Sequence, residues 1–243
     1  MARTPDTPEK AKRAQAKNRA APPFETATPE PTARAEPVPP GPAQFSPPFK
    51  YPPRHRRVHG PAGYPEYGAY KPWLRDEFAF RCVYCLTREL WSNAGHKGFT
   101  IDHVKPKSKH TGLTTKYSNL VYCCRRCNEL KWTRRLPDPC KVSLAKHVMI
   151  ESWVFSGISP AGKRMVAYLR LNEDERLPER RRILKDYRAR DTMDAKELVD
   201  SFGYPTNLPD LSAERPPGGN RRPGGVRLSH LARQMAKKLP SYY

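Results

Sequence analysis

The sequence predicts an α+β protein: a β-hairpin feeding a helix, stapled by two cysteine pairs, with further helices laid over it and a proline-rich tail in front. Three observations carry that expectation. Two short runs, Phe99-Thr100-Ile101 and Leu120-Val121-Tyr122, are β-branched or aromatic and bounded by Gly and polar residues, as strands are. Cys82-x-x-Cys85 stands before these runs, and Cys124-x-x-Cys127 follows the second of them. Beyond the last cysteine pair, apolar residues recur at helical spacing up to about 203, whereas residues 1–50 hold hardly any large apolar side chain.

Residues 1–50 are mostly Ala, Pro, Lys, Glu and Thr, too poor in apolar surface to offset the entropy of ordering, and are expected to be disordered. Residues 51–70, with Arg54, His55, Arg56 and Arg57 followed by Gly and Tyr, read as a solvated basic linker, so 1–70 is taken as tail and linker. A first domain is expected over 71–140. It opens with Trp73, Leu74, Phe78 and Phe80 as an apolar face entering Cys82, and its two strands are joined by a long basic connection over 105–117. A helix is expected over 125–135, stopped by Pro137 and Pro139.

A helical extension is expected over 141–203. Its first helix would span 143–155 on Leu144, Val148, Ile150 and Trp153, followed by Met165, Val166, Leu169 and Leu171 at helical spacing. Pro178 is placed to open another helix, turning Ile183, Leu184 and Tyr187 inward and Arg180, Arg181 and Arg182 partly outward. Asp191 or Thr192 would cap a last short helix ending near Gly203. Residues 204–243 read as a Pro/Gly-rich linker and a basic, frayed tail.

Charge narrows the function. Across 243 residues, Lys and Arg number 45 against 24 Asp and Glu, a formal net charge of +21. That excess favours a polyanionic partner, because each neutralised phosphate releases condensed counterions; nucleic acid, held mostly through its phosphates, is the expected partner. No apolar run is long enough for a membrane span, and the basic N-terminus lacks the apolar stretch of a secretory signal. The expected compartment is the reducing cytoplasm, where paired cysteines read as metal ligands before disulfides. A protein partner is left open.

Two thiolates two residues apart make one tight knuckle, and Cys82, Cys85, Cys124 and Cys127 together suit a tetrahedral, coordinatively closed structural zinc. The alternative is a set of buried free thiols. Cys123 and Cys140 fit no pair and are assigned to packing. Asp102-His103 closes the first strand, and adjacent strand residues point to opposite faces, so the two side chains are expected to do different work. One suits a metal and the other a nucleophilic water, the two needs of phosphodiester hydrolysis. Asp102 and Asn128 offer oxygen ligands fit for Mg2+ or Mn2+.

Asp102-His103, Asn119, Cys124-Arg125-Arg126-Cys127-Asn128 and Lys131 together resemble the HNH endonucleases of the zinc-containing type, which have the ββα-metal fold. The resemblance covers about 80–132. It implies that His103 is the general base, Asp102 a carboxylate ligand of the catalytic cation, and Asn119 the residue that pins the connecting loop and helps to orient the base. It implies that Asn128, standing where the family name's last His would be, is a weaker metal ligand. Lys131, on the helix, would meet a phosphate or lie solvated; Arg125 and Arg126 are expected at the nucleic acid. Residues 157–184 are also similar to an extension found after this module in some bacterial members, through Gly162, Leu169, Leu171-Asn172 and Arg180.

Two functions compete at this level. One is a divalent-metal-dependent endonuclease on DNA; the other is a non-catalytic zinc module that binds nucleic acid. Asn119 and Asn128 in register with Asp-His favour the enzyme, since a binding module has no need of them. A Cys-x-x-Cys redox protein is disfavoured because no βαβ pattern surrounds the pairs.

Overall fold

The structure, a computed structural model, describes residues 47–243; of the stretch expected to be disordered, 1–50, residues 1–46 lie outside these residues and Phe49 is buried. Helix α1 (Lys71–Glu77) starts on Pro72, whose fixed φ and missing N–H suit a first turn. Strands β1 (Phe99–His103) and β2 (Leu120–Cys124) pair antiparallel, with Phe99 opposite Cys124 and His103 opposite Leu120. Helix α2 (Arg125–Lys131) follows β2 without a break, and Sγ of its N-cap Cys124 accepts from the Cys127 N–H. The first cysteine knuckle docks on this hairpin through the Val83 N–H to the Tyr122 carbonyl, 3.0 Å. Phe99 and Tyr122 stack at 5.3 Å, and Leu120, Val121 and Tyr122 are wholly buried. The result is the expected strand–strand–helix unit in an α+β chain.

The stretch expected as a helix over 143–155 is instead a second hairpin, β3 (Val148–Glu151) with β4 (Val154–Gly157). Val148 and Ile150 turn inward while Met149 and Glu151 are exposed, a period of two that suits β-branched residues, and Ser152 makes the turn at φ 54°. Helix α2 also stops at Lys131, short of the two prolines expected to end it.

Helices α3 (Pro160–Tyr168), α4 (Leu177–Ala189) and α5 (Ala195–Phe202) follow. The cap of α5 is Asp194, which forms a reciprocal capping box with Glu197, in place of the expected Asp191 or Thr192. Arg180, expected partly outward, is buried; it donates to the Trp153 carbonyl at 2.6 Å and lies over the Phe155 ring. Asn172 clamps both backbone groups of Phe155, at 2.9 and 2.8 Å, and Leu169 and Leu171 are fully buried. A Cβ on Gly162 would meet the His147 carbonyl oxygen at 1.7 Å, so only glycine lets α3 approach β3. The five residues that carry the resemblance to the bacterial extension thus hold this second hairpin against its helices.

Two segments expected to be loose are packed. In 51–70, Tyr51, His59 and Tyr70 are buried; after 204, Leu211 and Tyr242 are buried, and α6 (His230–Met235) meets α1 through its first residue. Both converge on the end of α1. Glu77 accepts from the Val58 and His59 N–H groups at 2.8 and 2.9 Å and from Tyr117 Oη at 3.0 Å. Asp76 accepts from His59 Nε2 at 2.7 Å and from the His230 N–H at 2.7 Å. Hydropathy alone cannot reveal such docking, because the anchors are polar.

Candidate active site and metal centre

The four thiols of Cys82, Cys85, Cys124 and Cys127 converge, with all ligand atoms within 4.8 Å of one another. Among the described residues this is the one group of three or more His, Cys, Asp or Glu side chains so assembled. Its donor chemistry fits a tetrahedral thiolate-binding ion such as zinc: four sulfurs, three of them buried, with the Cys85 and Cys127 N–H groups turned to Cys82 and Cys124 Sγ at 3.5 and 3.4 Å. Arg176, just before α4, adds a guanidinium at 3.6 and 3.7 Å from Cys127 Sγ. Burial works to lower the Arg176 pKa, but the thiolates of Cys127, Cys85 and Cys124 outweigh it and raise it. The Arg176 guanidinium thus ties the start of α4 to the cysteine cluster. Cys123, expected in a packing role, is fully buried, and burial raises its thiol pKa; Cys140 is half-buried and pushed up to about 11, again by burial first.

A cleft of about 350 Å³ opens beside this centre, and Asp102, His103, Asn128, Tyr67 and Trp132 are among the residues lining it. His103 Nε2 lies 2.9 Å from the Thr114 carbonyl. A carbonyl only accepts, so Nε2 carries the proton and the lone pair of the neutral ring sits on Nδ1. The Tyr67 ring meets the imidazole edge-on at 4.8 Å. Burial lowers the His103 pKa, with the Thr114 carbonyl and Asp102 opposing it in part.

Asp102 has different partners, as strand alternation requires. Tyr84 donates to Oδ2 at 2.5 Å, and Lys131 Nζ donates to Oδ1 at 2.9 Å and to the His103 carbonyl at 2.8 Å. Burial raises the Asp102 pKa, against Lys131 and Tyr84, which lower it. Lys131 is therefore not a solvated helix lysine: its side chain is 1% exposed and is paired with Asp102.

Asn119 is buried and straps the connection between the strands: its amide donates to the Lys105 and Leu113 carbonyls, and its Oδ1 accepts from the Lys105 N–H at 2.8 Å. It bonds next to Thr114 and does not touch the imidazole. Arg125 is exposed, while Arg126 is paired with Glu173 at 2.9 Å and Glu175 at 2.5 Å. Sequence reasoning missed Tyr84, Thr114 and Arg176. Tyr84 lies inside the first knuckle, where its exposure could have been doubted; Thr114 acts through its backbone and leaves no side-chain signal.

Part of the sequence matches a known family. Residues 82–134 fit the family model described as HNH endonuclease, and this chain carries an HNH endonuclease domain there. Among curated proteins, "Septu protein PtuB" of Bacillus thuringiensis is 26% identical over 132 residues, which is 52% of this chain and 50% of that protein. The chain thus spans about half the length of this curated relative. No solved structure matches it. No helix among the described residues is long and apolar enough to cross a membrane.

Proposed function

We propose that this protein is a metal-dependent endonuclease that hydrolyses phosphodiester bonds in DNA, with His103 as its general base. The observation that carries the reading is the Thr114 carbonyl on His103 Nε2, which leaves the Nδ1 lone pair without a partner among the described residues, in a cleft lined also by Asn128. A neutral imidazole held in that tautomer takes a proton from a water attacking phosphorus. Tyr67, edge-on, limits the ring's rotation, and Asn119 keeps the Thr114 loop in place through Leu113.

Asp102 and Asn128 are the residues that would hold a hard divalent cation, Mg2+ or Mn2+, which when bound polarises the phosphate and stabilises the leaving oxygen. The carboxylate keeps a spare lone pair on each oxygen beside its bonds to Tyr84 and Lys131. The four cysteines would hold zinc as a structural ion, closed to substrate by its four thiolates. DNA would be held mainly through its phosphates by the excess of Lys and Arg.

The test is plasmid nicking by purified protein with Mg2+ or Mn2+ and without either. Metal-dependent nicking supports the enzyme. Tight, salt-sensitive binding with no cleavage under any divalent ion leaves the non-catalytic zinc module as the better reading.

A further inference from the structure

Trp132 is 74% exposed, against 1% for Trp73 and 8% for Trp91. Among the described residues its ring stacks on no aromatic and meets no cation. Its backbone is at φ 50°, ψ −124°, a region in which glycine is at home and a bulky side chain is strained. That geometry ends α2 with the Trp132 N–H on the Asn128 carbonyl at 3.0 Å and swings the indole outward, while Lys131 turns inward to Asp102. The helix end does not need an indole, since glycine would end it without the strain and with no exposed apolar area. Yet Trp132 lines the same cleft as His103, and it stands one helical turn beyond Asn128. Lys107 lines that cleft too, and Arg135, three residues after Trp132, is exposed.

We propose that Trp132 is a substrate-positioning residue that stacks on an unpaired nucleobase next to the scissile phosphate, so that the site takes single-stranded or locally opened nucleic acid in preference to closed duplex. The inference rests on the nuclease reading above. A phosphate in the cleft brings its flanking bases to the rim, where the indole presents a flat, apolar, solvated face. In closed duplex both faces of each base are covered by neighbours, and only an extruded or unpaired base offers one to the indole.

The experiment uses the full chain carrying His103→Ala, so that binding is read without turnover, and compares a short single-stranded oligodeoxynucleotide with its blunt duplex by fluorescence anisotropy. Adding Trp132→Ala is expected to weaken single-strand binding roughly ten- to a hundred-fold. Duplex binding should change little, and Trp132→Phe should restore most of the loss. The slope of log affinity against log salt should not move, because no charge is removed. Equal single-strand affinity for Trp132→Ala and its parent overturns the proposal.

A parallel cleavage assay with His103 intact separates the two ideas. If the protein cuts, and Trp132→Ala cuts single strands as well as wild type, the stacking role fails and the nuclease reading stands. If nothing is cut but single-strand affinity depends on the indole, the reverse holds. No binding to any oligonucleotide overturns both.

Discussion

Lys131 Nζ and Asp102 Oδ1 meet at 2.9 Å with 1% and 4% of their side chains exposed. A charge pair in so dry a place gains little overall, but removing one member strands the other. Lys131→Met is therefore expected to destabilise the protein by about 3–5 kcal/mol, measured by urea unfolding. The salt dependence of DNA binding should stay as in wild type. A stable Lys131→Met protein with a shallower salt slope would instead restore lysine to the phosphate.

His103→Ala should leave folding and DNA affinity close to wild type and lower cleavage by roughly 10²- to 10⁴-fold, the usual share of a positioned base. Asp102→Ala should lose cleavage together with stability, since it strands Lys131. Raising Mn2+ should recover part of the Asp102→Ala activity and none of the His103→Ala activity. Nicking rates at several metal concentrations decide between these outcomes, and undiminished cutting by His103→Ala rules it out as the base.

Metal removal should melt the centre of the protein, because a structural ion contributes its binding free energy to folding. Elemental analysis is expected to find one zinc per chain in wild type and none in Cys124→Ser. Arg176→Gln keeps all four ligands yet removes the guanidinium facing Cys127, and is expected to lower metal affinity about 10- to 100-fold, as loss of an outer partner does. Zinc release to a chromogenic chelator reads that change directly; an unaltered release curve would reduce Arg176 to a packing residue.

Acid should weaken the docking of the outer segments on α1. Burial works to raise the Asp76 pKa, but hydrogen bonds from His230 and His59 overcome it and hold it at about 2, below the ordinary 3.8. A carboxylate with a depressed folded-state pKa contributes stability that is complete above the unfolded value and lost as pH falls through the folded one. The contribution is about 2 kcal/mol, disappearing between about pH 4 and pH 2. Urea midpoints for wild type across that range should fall more steeply than for Asp76→Asn, and parallel curves would refute the assignment.

The hairpin, the knuckles and α2 were legible because each has a local signal: β-branched runs, a fixed cysteine spacing, a helix-forming composition. The Asp102-His103 pair was legible through its place between the knuckles. The second hairpin was not, since Leu144, Val148 and Trp153 also fit a helical face, and only the inward–outward alternation of Val148 to Glu151 decides for a strand. The burial of Lys131 could not be read because a lysine on a short helix carries no mark of it; its partner is 29 positions away. The docking of 51–70 and of the tail failed for the same reason, since its anchors are histidines and carboxylates that look solvated in one dimension.

The contacts of the tail after 204 are remote along the chain, whereas 51–70 meets α1 across only 17 to 22 positions. His230 reaches Asp76 across 154 positions, Asn220 reaches Gly60 across 160, and Tyr243 reaches Ala79 across 164. Contacts of such separation form late, after the entropy of closing long loops is met, whereas the strands and α2 find each other over short distances. Assembly therefore runs from the centre outward. The hairpin, its cysteines and the 51–70 contacts on α1 can be in place while the tail is still open, and closure of the tail over α1 is the step that finishes the molecule.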